Sequence, residues 1–167
     1  MSELRDAARQ RWATPRWLID WVEGWLGERI ALDACALESN AKASRWYGPG
    51  SPYGTNGLRV ECPWSTTNTT WCNPPYDNIA PWAARALAHA ARYDQARVLL
   101  LVPPRTDQAW WHALADDSRV DARFTAIRPR ICFHAPEGVD ASMPSFPVVL
   151  WEITQRDHVL PATYRWR

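Results

Sequence analysis

Apolar positions alternate along the chain between two periods, helical and strand-like. Leu18, Trp21, Val22 and Trp25 recur at helical spacing and predict one apolar helix face that runs to about Leu26, with Gly27 as the stop. Thr14-Pro15 reads as its N-cap and first helical residue, and residues 3–12 predict a short amphipathic helix before it. Arg29 to Asp33 is a short buried strand that carries Asp33 to the end of a sheet. Residues 43–68, rich in Gly, Pro, Ser, Thr and Asn, predict loop, with room for a strand at Leu58-Arg59-Val60. So long an irregular stretch in a compact domain is usually functional or mobile. An apolar run, Thr69 to Cys72, precedes an Ala-rich helix over 78–93 that tolerates Pro81 because it falls in the first turn. Arg97 to Val102 is an unbroken apolar run of the kind found in central parallel strands. Thr106 to about Asp116 predicts a helix capped by Thr106 that packs Trp110 and Leu114. Residues 120–134 and 146–154 complete the sheet. Strands alternating with helices imply a doubly wound α/β fold.

A chain of 167 residues buries one good core, so one domain is expected over 1–167, with 1–12 as an N-terminal extension and 155–167 as a C-terminal tail. No apolar run approaches a membrane span, and Met1 to Asp6 lacks a signal-peptide core, so a cytoplasmic protein without a membrane partner is expected. Cys35, Cys62, Cys72 and Cys132 form no C-x-x-C pair, which argues for buried reduced thiols over a zinc site or a disulfide framework, and no metal is expected. The net charge is only +1, so any affinity for nucleic acid must come from charge distribution. Every basic residue except Lys42 is arginine, a bias that suits bidentate phosphate contacts and that a GC-rich genome would also produce. Most of the 12 tryptophans should be core residues.

The segment most specific for chemistry is Asn73-Pro74-Pro75-Tyr76, at the end of a predicted strand, where open α/β sheets bind ligands. Two prolines fix the backbone and remove two N–H donors, leaving carbonyl oxygens without donors beside them. Asn73 adds a side-chain carbonyl and Tyr76 a flat aromatic face. That set suits a planar group bearing an exocyclic NH2, with acceptors for its hydrogens and a ring for stacking.

Trp12 to Pro15, Ala31 to Ala36, Asn40-Ala41-Lys42, Gly57-Leu58, Trp64 and Trp71 to Tyr76 stand in one order. After them come Leu101-Val102-Pro103, Thr106-Asp107, Trp110, Arg130 to Phe133 and Ser145-Phe146-Pro147. This ordered set, spanning roughly residues 12–153, resembles the phage-type DNA N6-adenine methyltransferase (Dam) family. The resemblance implies a Rossmann-like fold for binding S-adenosylmethionine, a mostly parallel sheet with helices on both faces and the last strand antiparallel. It implies methyl transfer to adenine N6 in DNA, single- or double-stranded. Asn73, Pro74, Pro75 and Tyr76 would be the catalytic motif. Asn73 and the Pro74 carbonyl would accept the amino hydrogens, and Tyr76 would stack on a base turned out of the duplex.

For the cofactor, the resemblance implies Thr14, Asp33, Ala34, Cys35, Asn40, Asn56 and Asn73. Asp33 would bind the cationic end, with a helix-capping aspartate as the plainer alternative. Lys42 belongs to the matching block without a derivable role. The chain departs from familiar methyltransferase folds in two places. Asp33 to Leu37 contains no glycine, so this loop must approach the cofactor differently. Asn56 stands where an acid is expected, and accepts a hydrogen bond without charge assistance. For DNA, Phe133 and Phe146 are candidates for the far wall of the base pocket, and Arg105, Arg128 and Arg130 for flanking contacts. Sequence readout would fall to loops such as 43–68 or 134–145. N4-cytosine and RNA-base methyltransferases use the same four residues, and a catalytically silent DNA-binding module of this fold is the alternative from another class.

Overall fold

The computed structural model describes residues 13–128, 130–134 and 147–156. The expected helix over 3–12, the tail beyond Arg156, Trp12 and Phe146 lie outside these residues.

Helix α1 spans Arg16–Leu26 and ends at Gly27, whose φ of 70° is left-handed and costs a glycine little. Its sheet-facing residues are Leu18, Ile19 and Val22. The expected apolar face is therefore rotated: Trp21 is 45% exposed and stacks on Trp25 at 6.0 Å on the flank of the helix. The start also differs. Pro15 is extended at ψ 145° and occupies the cap position, its carbonyl accepting from the Leu18 N–H at 3.2 Å. The Thr14 side chain makes no cap bond, because it turns inward to Asn73.

Five strands form one sheet in the order β1-β2-β3-β5-β4: β1 Leu32–Asp33, β2 Thr69–Cys72, β3 Arg97–Val102, β4 Val120–Ala126 and β5 Val149–Gln155. Strands β1, β2 and β3 pair in parallel, and β5 runs antiparallel between β3 and β4. The first four strands are therefore parallel and the last is antiparallel, as expected. Strand β3 is central, with a parallel neighbour on one side only. Helices α2 (Ala80–Arg92) and α3 (Ala109–Asp116) complete the described elements.

Alternation along β3 divides the core. Leu99 and Leu101 pack with Leu18, Ile19 and Val22 of α1, whereas Val98, Leu100 and Val102 pack with Ala83, Ala86 and Leu87 of α2 and Leu114 of α3. Successive strand residues point to opposite faces, so an all-apolar strand needs helices on both. Of the tryptophans, Trp46, Trp64, Trp71, Trp82, Trp110, Trp111 and Trp151 are buried, in keeping with core roles.

Several expected elements are shorter. Strand β1 keeps only Leu32 and Asp33 of the run from Arg29. Leu58 to Val60 is not a strand: the Arg59 N–H bonds the Asn56 carbonyl in a turn, and Val60 is 85% exposed. Helix α3 starts at Ala109 after Gln108, with no side-chain cap, so Thr106 does not cap it. Arg105 and Gln108 N–H groups bond back to the Pro103 and Arg105 carbonyls, and this tight turn consumes the residues that the helix was expected to claim. Strand β4 stops at Ala126; His134 instead forms an antiparallel bridge with Ala13.

The long segment between β1 and β2 is irregular but anchored. Arg85 of α2 donates to the Leu58 carbonyl at 2.9 Å and the Cys62 carbonyl at 2.8 Å, its guanidinium lying over the Trp64 ring. The Trp64 indole donates to the Gly57 carbonyl at 2.9 Å.

Candidate active site

The three parallel strands β1, β2 and β3 end at the same edge of the sheet, and each delivers a polar or proline-fixed segment there. Strand β1 brings Asp33, β2 brings Asn73 to Asp77, and β3 brings Pro103 to Arg105. Because β5 is antiparallel, its entry at Pro147 reaches the same edge. The bridge between Ala13 and His134 lays Thr14 and Phe133 across the opening. Together these segments enclose a cavity of about 710 Å³, within the usual size range of small-molecule sites.

Asn73 is the polar centre of this cavity. Its Nδ2 donates to the Thr14 hydroxyl at 3.3 Å, while its Oδ1 is buried with no hydrogen-bond partner among the described residues. A buried amide oxygen left unsatisfied costs about 1–3 kcal/mol, a cost that any donor reaching it would relieve. Pro74 is buried beside it. Tyr76 meets Phe133 edge to face, with ring centroids 6.3 Å apart, and both rings line the cavity. Burial holds the Tyr76 phenol far above its ordinary range, so it stays neutral.

Asp33 is 2% exposed and accepts from the N–H groups of Cys35 at 3.2 Å and Lys42 at 3.0 Å. No helix starts there, so it is not a helix cap. It closes the loop over residues 34–42 around its carboxylate. Burial raises its pKa to about 6, against the lowering effect of those two N–H bonds and of the Lys42 ammonium. Burial, and then Asp33, push the Cys35 thiol up, which keeps it protonated. Lys42, half-buried in the cavity wall, is lowered by burial against the attraction of Asp33.

The structure brings together Thr14, Asp33, Cys35, Asn40, Asn73, Pro74, Pro75, Tyr76, Arg105 and Phe133. Ala34 lies behind this wall, fully buried, its N–H bonded to the Trp71 carbonyl at 2.8 Å. Asn56 is also outside the lining; it is exposed and accepts from the Leu58 N–H at 2.9 Å. Arg128 and Arg130 are exposed and away from the cavity. Cys62 and Cys72 are buried but Cys132 is exposed, against the expectation of buried thiols. Among the described residues, no group of three or more His, Cys, Asp or Glu is placed to hold a metal, and no helix is long and apolar enough to cross a membrane.

The family model for DNA N-6-adenine-methyltransferase (Dam) matches residues 1–149. The chain belongs to the Dam family. A DNA N-6-adenine-methyltransferase of Haemophilus phage HP1 (strain HP1c1) is 30% identical over 100 residues, covering 60% of this chain and 54% of that protein. Another, of Escherichia phage T1, is 32% identical over 106 residues, covering 64% of this chain and 41% of that protein. The matches thus span about half the length of these Dam relatives.

Within this Dam chain, sequence reasoning passed over several wall residues. Trp71, Asp77 and Pro104 line the cavity without having been singled out. Trp71 carried a signal: strand residues alternate faces, but the last ones also border the crevice. Glycines let the segment after the first loop pack closely against it: a Cβ on Gly57 would collide with the Ala34 carbonyl and one on Gly48 with the Ala36 carbonyl.

Proposed function

We propose that this protein transfers a methyl group from S-adenosylmethionine to the N6 amino group of an adenine turned out of DNA. The observation that carries the reading is the buried, unpartnered Oδ1 of Asn73 at the end of β2. An acceptor held without a partner in a proline-walled cavity asks for a donor, and an exocyclic amino group is a donor on a planar ring.

S-adenosylmethionine supplies, when bound, a methyl group on a positively charged sulfur. The chain's own residues do the rest. The exocyclic nitrogen of adenine is a poor nucleophile because its lone pair is delocalised into the ring. Asn73 Oδ1 and the Pro74 carbonyl accept its two hydrogens, and both bonds strengthen as positive charge develops on nitrogen, which stabilises the transition state. Tyr76 and Phe133 hold the base, one by its face and the other across the gap. Asp33 provides negative charge for the cationic end of the cofactor, and the half-buried Lys42 ammonium provides the opposite charge nearby. Thr14, Cys35 and Asn40 border that end of the cavity. With nitrogen, methyl and sulfur held in line, the N–C bond would form as the C–S bond breaks, the cofactor would leave as the neutral thioether and the proton shed by the nitrogen would pass to solvent; this alignment contributes much of the remaining acceleration. Arg105, Arg128 and Arg130, all exposed, would contact phosphates flanking the base.

Asn73→Ala should lower methyl transfer about 10²–10³-fold, as removal of one transition-state hydrogen bond does, while thermal unfolding stays near wild type. Near-normal turnover in this variant would remove Asn73 from the mechanism.

A further inference from the structure

We propose that Thr14 is a positioning residue for Asn73, restraining its side-chain amide against rotation where it borders the cavity. The inference rests on the assignment of Asn73 as the acceptor for the substrate amino group. The Thr14 hydroxyl accepts from Asn73 Nδ2 at 3.3 Å, across 59 residues of sequence, and Thr14 is 3% exposed. A terminal amide torsion is broad and roughly two-fold, so an isolated asparagine turns easily between presenting oxygen and presenting NH2. The amide is planar, so a hydrogen bond between one of its ends and the Thr14 hydroxyl stops the whole group from turning and fixes where the other end lies.

Thr14 is itself held from both sides. Ala13 exchanges two backbone hydrogen bonds with His134, each 3.0 Å, and Pro15 accepts from Leu18 at the start of α1. The hydroxyl is free of the capping duty that its place before a helix would suggest. A threonine before a proline-led helix therefore has its side chain turned into the cavity at the one point where Asn73 needs a second contact.

The test compares Thr14→Val, which keeps shape and removes the hydroxyl, with Thr14→Ser, which keeps the hydroxyl, and with Asn73→Ala. The first readout needs no cofactor: the NMR order parameter of the Asn73 side-chain NH2 in the free protein. It should fall in Thr14→Val and recover in Thr14→Ser. The second is the single-turnover methylation rate beside the calorimetric affinities for S-adenosylmethionine and DNA. Thr14→Val should lose roughly ten- to a hundredfold in rate at saturating S-adenosylmethionine and DNA, the range for a misplaced catalytic group. Thr14→Ser should restore the rate, and Thr14→Val should add nothing further in an Asn73→Ala background.

An unchanged order parameter in Thr14→Val, or an additive loss in the double variant, would overturn the proposal. So would a loss confined to cofactor affinity, which would make Thr14 a cofactor ligand. If Thr14→Val does not fold, the order parameter of Thr14→Ala decides by the same criterion. Full turnover in Asn73→Ala beside a normal NMR response would instead strike the functional reading and leave the positioning role intact.

Discussion

Asp33 and Tyr76 show how burial decides what a side chain can do. Asp33 has both oxygens occupied by loop N–H groups, yet desolvation still lifts its pKa from 3.8 to about 6. The folded protein thus binds this proton more tightly than the unfolded chain, and Asp33 ionisation opposes folding. Its contribution should be most favourable below about pH 4, decline by about 3 kcal/mol as pH rises to about 6, and stay flat above that. Urea unfolding of wild type and Asp33→Asn across this range checks it: the stability of the variant relative to wild type should rise between pH 4 and 6, and parallel curves would contradict it. For Tyr76, a phenol held neutral by burial is no base, so its value lies in its ring. Tyr76→Phe should keep most activity, whereas Tyr76→Ala should lose about 1–3 kcal/mol of stacking, roughly one to two decades in rate. Rates of the two variants on the same DNA test this, and equal severe losses would show that the hydroxyl is required.

Elements with a strong period were legible in the sequence. Strand β3 occupies the expected residues, and α2 falls within two residues of expectation. Boundaries set by side-chain contacts across the fold were not. Thr14 was read as a cap because capping is local, but its partner is 59 residues away. Thr106 lost its helix to a turn of backbone bonds. Ile19 displaced Trp21 from the buried face of α1, which spacing alone does not decide. Residues 43–68 predict loop with room for a strand at Leu58 to Val60, and the anchor of this stretch on α2 has no sequence signal because it consists of backbone carbonyls gripped by Arg85. Arg85→Ala should cost about 1.5–3 kcal/mol, the usual worth of charged hydrogen bonds, and should open this segment to proteolysis. Arg85→Lys should rescue little, since a single ammonium nitrogen lacks the planar spread that lets Nη1 and Nη2 reach separate carbonyls. Urea unfolding with limited proteolysis measures both, and an intact segment in Arg85→Ala would deny the anchoring role.

At the scale of the molecule, sheet order brings the site together. Neighbouring parallel strands end on one edge, and an antiparallel β5 returns Pro147 to it. The alternation of strand and helix foretold the edge, and Asn73-Pro74-Pro75-Tyr76 lines the cavity there. Neither foretold that Asn56 would turn outwards or that Arg128 and Arg130 would stand off the cavity, because loops follow contacts that periodicity does not encode. The central claim is the reaction. DNA incubated with the protein and S-adenosylmethionine carrying an isotopically labelled methyl, then digested to nucleosides and analysed by mass spectrometry, should yield labelled N6-methyladenine; labelled N4-methylcytosine, or no labelled base, would contradict it.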